Sequence, residues 1–295
     1  MRPSFISAVL VIAVLGTSTS GPLVRLSDSA PVSIAAWRLI LSLAVIAFPL
    51  AVGGSWRQWR RLDGRALGLA LLAGVMLALH FWSWMTSVHL TTVAASVVLV
   101  NTQPLIVAAI SVLWLREPPT PRQWAGIAIA VVGAAIVALP DLRGAQASHP
   151  RAMLGDMLAV VGAITAAMYY AIGRRLRAQL DLWPYVALVY GACLVALLVI
   201  AGLSGVRLAP NPRREYAIFA GLALGPMLLG HTGMNWALRY ARSYQVSIVL
   251  LGEPIGATLL AAMIPGIRER PGIYTVCGGI LVLAGILLAE RRTKA

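Results

Sequence analysis

Long apolar runs, cut by short polar and arginine-bearing stretches, recur along the whole chain. A helix that crosses the hydrocarbon core of a bilayer needs about 20 mostly apolar residues. Ten stretches meet that requirement: 5–24, 32–52, 66–88, 92–114, 122–140, 153–173, 183–203, 216–237, 244–264 and 271–289. The pattern predicts an all-α polytopic membrane protein with ten transmembrane helices. Connections such as 141–152 are short and leave no room for a soluble domain between spans. The first stretch shares features with a signal peptide, with Arg2 ahead of an apolar core and small residues from Gly16 to Ser20. Its apolar run resumes after Gly21-Pro22, so it is read as a retained span.

Composition agrees with this reading. Apolar residues make up 59% of the chain, charged residues 12%, and the mean hydropathy is +0.83. Soluble domains carry roughly 45–50% and about 25% respectively. The net charge of +14 does not point to nucleic acid, because the basic residues stand in short clusters between apolar runs. Such clusters report orientation across a membrane. Connections on the N-terminal side carry 15 Lys and Arg and those on the other side 8, which places both termini in the cytoplasm. Cys193 and Cys277 both fall inside apolar segments and read as small core residues. The four histidines follow no metal-ligand spacing, so neither metal nor cofactor is expected.

The second half of the chain echoes the first. His80 to Gly133 can be laid over His231 to Gly285 with an offset of 150 to 152 residues, so that Pro104 falls on Pro254, Glu117 on Glu269, Gly126 on Gly278 and Gly133 on Gly285. The division is then 1–145 and 146–295, with five spans in each half. An odd number of spans puts the second half into the bilayer upside down relative to the first. Inverted repeats recur in secondary transporters, with substrate sites near the midplane at interrupted helices.

The residues that carry a family resemblance are "GEP" in the ninth span, "LREPPTPRQWAGIAIAVVGAAIV" around the fourth and fifth, "GDMLAVVGAITAAMYYAIGRRL" at the sixth, and Arg38 early in the second. On these the chain resembles the EamA-type exporters of the drug/metabolite transporter superfamily, and within them looks most like the bacterial aromatic amino-acid exporters. The resemblance covers nearly the whole chain. It implies two EamA-like five-helix repeats and export of small metabolites across the inner membrane. The fourth span departs from the family pattern, with Gln103-Pro104 where many members repeat a Glu-Pro. A mechanism that needs two symmetrical midplane carboxylates is therefore not available to this chain.

Ionisable residues within spans are functional candidates by default. Here they are Arg38, His80, His231 and Glu253, joined by the amides Asn101, Gln103, Asn235 and Gln245. Glu253 stands mid-span beside Pro254, which cannot donate a backbone hydrogen bond. Either it faces a central cavity and binds substrate or a proton, or it accepts hydrogen bonds from a neighbouring helix and pins the packing. Gln245 lies eight residues earlier, on the same helical face. His80 and Trp84, and likewise His231 and Asn235, are spaced i, i+4. The repeat sets the two histidines in opposite halves of the membrane, as cavity-lining residues at opposite ends of one pathway. Asn101 and Gln103 sit about 200° apart on a regular helix and cannot share a cavity unless Pro104 distorts the turn. Arg38 is a candidate anchor for a substrate carboxylate, or it snorkels or pairs with an acid. Trp84 with Tyr169 or Tyr170 are the best placed aromatics for stacking on a ligand. Pro104 and Pro254 are the expected helix breaks. Trp56, Trp59 and Trp183 read as interface anchors.

These readings converge on a secondary exporter of small amphiphilic metabolites, aromatic or other neutral amino acids, working as a monomer by alternating access. Export of cationic drugs is the alternative. Protons are a candidate coupling ion, and the remaining partners are the substrate and the lipid bilayer, not nucleic acid. No P-loop and no H-E-x-x-H pattern occurs, so neither ATP hydrolysis nor membrane-embedded enzyme chemistry is expected. A channel would usually bring symmetry through oligomers and rings of polar groups, whereas the internal inverted repeat points to alternating access within one chain.

Overall fold

The computed structural model describes residues 3–103, 105–106, 120–142, 150–209, 213–240 and 252–290. Among these every regular element is helical. In chain order they are α1 (Pro3–Ser18), α2 (Ser20–Leu26), α3 (Pro31–Val52), a 3-10 helix (Ser55–Arg61), α4 (Gly64–Leu90), α5 (Val93–Val100), α6 (Pro121–Leu142), α7 (Ala152–Leu176), α8 (Leu182–Ser204), α9 (Arg214–Leu222), a π-helix (Ala223–Thr232), α10 (Gly233–Ala237), α11 (Gly252–Met263) and α12 (Ile273–Glu290).

Six helical segments among the described residues are long and apolar enough to cross a bilayer: Phe5–Leu26, Pro31–Val52, Gly64–Leu90, Ala152–Leu176, Leu182–Ser204 and Arg214–Ala237. Trp124–Val137 and Ile273–Leu288 are shorter apolar helices. Of the expected spans 92–114 and 244–264, α5 and α11 are described, whereas Pro104, Glu117 and Gln245 lie outside the described residues. The bundle turns large apolar side chains outward, such as Phe48 and Leu203, and keeps Ser42, Ser83, Ser87 and Ser96 fully buried. Outside-facing hydrocarbon and inside-facing small polar groups suit a chain whose solvent is lipid.

Local chemistry sets the helix ends. Pro31 opens α3 at a position where its missing N–H costs nothing. Asp63 caps α4 by accepting from the Ala66 amide at 2.7 Å, and Thr92 caps α5 by accepting from Ala95 at 3.1 Å. Gly205 ends α8 in the left-handed conformation that favours glycine, at φ 65°.

Among the described residues a close backbone approach joins α6 to α12. A Cβ built on Gly133 would lie 2.7 Å from the Gly278 carbonyl oxygen, and one on Gly285 would lie 2.5 Å from that of Gly126. No side chain fits in such a contact, so glycine is required there. Elsewhere α4 packs on α7 and α8, α1 on the π-helix, and α11 on α1 and α5.

Both ends of the bundle are tied. At the end that carries the α1–α3 connection, Arg25 pairs with Glu269 at 2.8 Å and also donates to the Thr91 carbonyl. Glu269 in turn accepts from the Val93 amide at 2.7 Å. Glu215 accepts from Ser27 and, at 2.6 Å, from Ser29. At the arginine-rich end, Gln58 donates to Asp181 at 2.6 Å, Arg239 pairs with Asp181, and Trp59 donates to the Pro184 carbonyl at 2.9 Å. The hydrogen bonds from Arg239 and Gln58 hold the Asp181 carboxyl below its ordinary value of 3.8. A carboxyl lowered in this way contributes stability that is present above that ordinary value and is lost as pH falls below it. Because Asp181 is 54% exposed, the contribution is small. Asp181→Asn should lower thermal stability at neutral pH by no more than about 1 kcal/mol. The difference from the parent chain should vanish in acid, as thermal unfolding at the two conditions would read.

Candidate functional site

A cavity lies at the centre of the bundle, lined by Thr17, Ser20, His80, Trp84, Val100, Asn101, Gln103, Tyr170, Pro226, His231 and Glu253. Each lining element is irregular or polar at this depth for a local reason. In the run Gly16 to Pro22 the hydroxyls of Thr17 and Ser18 bond back to the Val14 carbonyl, at 3.1 and 2.8 Å, and that of Thr19 to Gly16 at 2.8 Å. Such back-bonding competes with the helix and bends it. The helix breaks at Thr19, between α1 and α2, and Thr17 and Ser20 reach the cavity.

Helix α5 stops at Val100, and Asn101 and Thr102 form a turn. The Asn101 amide donates to the Val97 carbonyl at 2.9 Å, and the Thr102 hydroxyl to Leu99 at 2.7 Å. Because the regular helix ends there, the angle of about 200° no longer separates residues 101 and 103. Both Asn101 and Gln103 line the cavity.

On α4, His80 and Trp84 stack one turn apart with ring centroids at 6.2 Å and an interplanar angle of 7°. His80 Nδ1 lies 2.9 Å from the Gly162 carbonyl of α7, which fixes the ring. The indole Nε1 of Trp84 is buried and makes no hydrogen bond among the described residues. His231 comes from the π-helix. Its ring stacks on Tyr170 at 6.4 Å and 7°, with the tyrosine hydroxyl 3.4 Å from Nδ1.

The two histidines are expected at opposite ends of a pathway, yet their centroids are 6.1 Å apart. Phe81 of α4 and Tyr170 of α7 both pack against His231, so the two histidines face one cavity and not opposite ends of a pathway. Glu253 is the only carboxylate among the lining residues, with Asn101 and Thr17 as its polar neighbours. Pro254 is buried in the first turn of α11 as described.

Three expected site residues stand behind this wall. Arg38 is fully buried, its guanidinium carbon 4.1 Å from the centroid of Phe81. One of its nitrogens reaches Met227 Sδ at 3.2 Å, and the Phe81 ring separates it from His231. Tyr169 and Asn235 belong to a buried hydrogen-bond network. The Asn235 amide donates to the Tyr169 hydroxyl at 2.5 Å and to the His231 carbonyl at 2.8 Å, and the Tyr190 hydroxyl meets Thr232 at 3.1 Å. Successive residues on a helix point about 100° apart, so Tyr170 faces the cavity and Tyr169 the network. Gln245 and Pro104 lie outside the described residues.

Thr17, Ser20 and Pro226 line the cavity without having been singled out from the sequence. Their signals were the four consecutive hydroxyl residues, Thr17 to Ser20, in an apolar helix, and a proline in the middle of the eighth span. Cys193 is buried as expected, whereas Cys277 is exposed on α12. No cluster of three or more metal-ligating side chains occurs among the described residues.

The cavity measures ≈ 40 Å³. One water needs at least about 10–15 Å³ of such space, so the cavity has room for a few waters and not for a metabolite. With both ends of the bundle tied, the walls must separate before a larger ligand enters.

A model of the EamA-like transporter family matches residues 4–139 and 153–290. An "Uncharacterized transporter" of Archaeoglobus fulgidus is 24% identical over 280 residues, covering 91% of each chain. A "Probable terminal-alkyne amino-acid exporter" of Streptantibioticus cattleyicolor is 26% identical over 257 residues, covering 86% of this chain and 80% of that one. One crystal structure superimposes with a TM-score of 0.64 at 20% identity, over 98% of this chain and 97% of the other, a likeness of fold alone.

Proposed function

Because this multi-pass membrane chain belongs to the EamA-like transporter family, we propose that it is a secondary exporter of neutral amino acids, aromatic ones included, working by alternating access without ATP. The observation that carries the proposal is the chemistry of the cavity. A single carboxylate, Glu253, shares it with an indole N–H that has no partner among the described residues and with the rings of His80, Tyr170 and His231. The carboxylate suits an ammonium group, the N–H suits a carboxylate, and the rings suit a flat or apolar side chain. A relative described as an amino-acid exporter supports the same substrate class.

Two inverted five-helix repeats, 1–145 and 146–295, are the device proposed for alternating access. The family model matches twice, once in each half. The repeat correspondence sends Gly133 to Gly285 and Gly278 to Gly126, and therefore sends the contact between 133 and 278 onto that between 285 and 126. Likewise the packing of α4 on α7 has its counterpart in the π-helix on α1, and that of α5 on α7 in α11 on α1. A monomer in the inner membrane with both termini in the cytoplasm completes the reading, and the arginine distribution supports that orientation. A second reading, export of organic cations, is favoured by the lone carboxylate among aromatic rings.

Counterflow in liposomes with a panel of neutral amino acids and planar organic cations tests both. Exchange of radiolabelled aromatic amino acids, competed by other zwitterions and not by cations, is the expected result. Exchange confined to cations would replace the first reading with the second.

A further inference from the structure

The 3-10 helix Ser55–Arg61 has the sequence SWRQWRR and follows α3 directly. Arg57, Arg60 and Arg61 are exposed on it, and Arg65 follows at the start of α4. None of the four forms an ion pair among the described residues. The guanidinium carbons of Arg57 and Arg60 lie 5.7 and 5.4 Å from the Trp56 ring, which holds both near one spot. The helix itself is fixed to the α7–α8 connection by Gln58 and to the first turn of α8 by Trp59, so the arginines stand on a rigid support. Beside it lies a polar cleft of ≈ 240 Å³ lined by Gln58, Arg61, Leu62, Gln179, Leu180 and Asp181.

A second feature adjoins this cationic shelf. Val45, Phe48 and Val52, near the end of α3, are 50%, 73% and 74% exposed. Spaced i, i+3 and i+7, they form one apolar stripe that leads along the helix to the shelf. A cationic shelf at the end of an apolar track fits a molecule with an anionic head and a hydrocarbon tail. We propose that the 3-10 helix and the end of α3 form a binding site for an anionic phospholipid of the bilayer, with Arg57, Arg60 and Arg61 on the phosphate-bearing headgroup and the Val45–Phe48–Val52 stripe on an acyl chain. Clusters of basic residues next to a membrane helix attract anionic lipid in this way. A bound lipid would strengthen the closure of this end, because the same helix is tied to Asp181 and through it to Arg239.

The test uses the full chain in neutral detergent, titrated with phosphatidylglycerol or phosphatidylcholine and read by native mass spectrometry and thermal unfolding. Phosphatidylglycerol is expected to be retained preferentially and to raise the unfolding midpoint. The triple variant Arg57→Gln, Arg60→Gln, Arg61→Gln should lose that preference by roughly a hundredfold. A control that removes the same charge elsewhere, Arg207→Gln, Arg268→Gln, Arg270→Gln, should keep it. Equal retention of the two lipids by the parent chain overturns the proposal without recourse to any variant. So does equal loss in the control triple. Glycerol phosphate added alone should leave the midpoint unmoved, and a shift as large as the lipid's would mean a free phosphate site instead of a lipid site.

Discussion

Replacing Glu253 by glutamine is expected to weaken exchange of a zwitterionic substrate by roughly 10- to 100-fold while leaving the fold intact. The two side chains are nearly isosteric, and an amide can keep polar contacts with Asn101 and Thr17, the neighbours that flank the carboxylate. What disappears is the charge. A hydrogen bond to a charged group contributes about 1.5–3 kcal/mol, which sets the size of the loss. Stability is expected to hold or rise slightly, since Glu253 is half-buried and a charge without an ion-pair partner among the described residues is costly to keep inside the bundle. The rival role for Glu253, as a pin between α11 and its neighbours, predicts the opposite pair of results: a lowered unfolding midpoint with exchange preserved. If Glu253 also carries a proton, uptake driven by a pH gradient should vanish in the variant while residual counterflow persists. Gradient-driven uptake equal to that of the parent chain would remove the coupling role.

The largest structural effect is expected at the α6–α12 contact. Gly278→Leu puts a branched side chain where the space is already taken by the Gly133 carbonyl and the Val137 backbone. Overpacking at such a place costs about 3 kcal/mol, or roughly 6–12 °C in unfolding temperature for a chain of this size. The obstacle is backbone, which cannot rotate away as a flexible side chain could. Gly133→Leu and Gly285→Leu are equivalent positions under the repeat and should cost similar amounts. Gly191 in α8 supplies the contrast, because a Cβ there meets nothing within 4 Å. Gly191→Ala should stabilise the helix by up to about 1 kcal/mol. Thermal unfolding of the four variants in one detergent would decide the matter, and equal midpoints for Gly278→Leu and Gly191→Ala would refute it.

What could be read from the sequence depended on helix regularity. Regular segments were legible: His80 and Trp84 share a face at i, i+4, and the structure stacks their rings. Where the helix departs from regularity the reading slipped. The angle between residues 101 and 103 assumes a continuous helix, but α5 ends at Val100. Thr17 and Ser20 escaped notice because hydroxyls in apolar helices commonly bond back to their own carbonyls, and only the break at Thr19 turns them towards the cavity. Between Tyr169 and Tyr170 periodicity alone has no preference, since the answer depends on which neighbour supplies Asn235. Arg38 is early in its span by count, but its surroundings of Phe81 and Met227 come from distant parts of the chain.

The π-helix Ala223–Thr232 has a further consequence. Its wider turn is that of an α-helix holding one residue too many, and such turns sit where a chain needs to change its register. Each residue of an α-helix advances about 1.5 Å and rotates about 100°. Tightening a π turn to an α turn therefore slips the following segment by one step, as a ratchet slips a tooth, without breaking it. Here the Thr232 hydroxyl holds the wide turn by bonding to the Met227 carbonyl five residues back, at 3.1 Å. One slip would swing His231 out of its stack on Tyr170 and carry the segment after Thr232 along with it, at the expense of the Arg239–Asp181 pair.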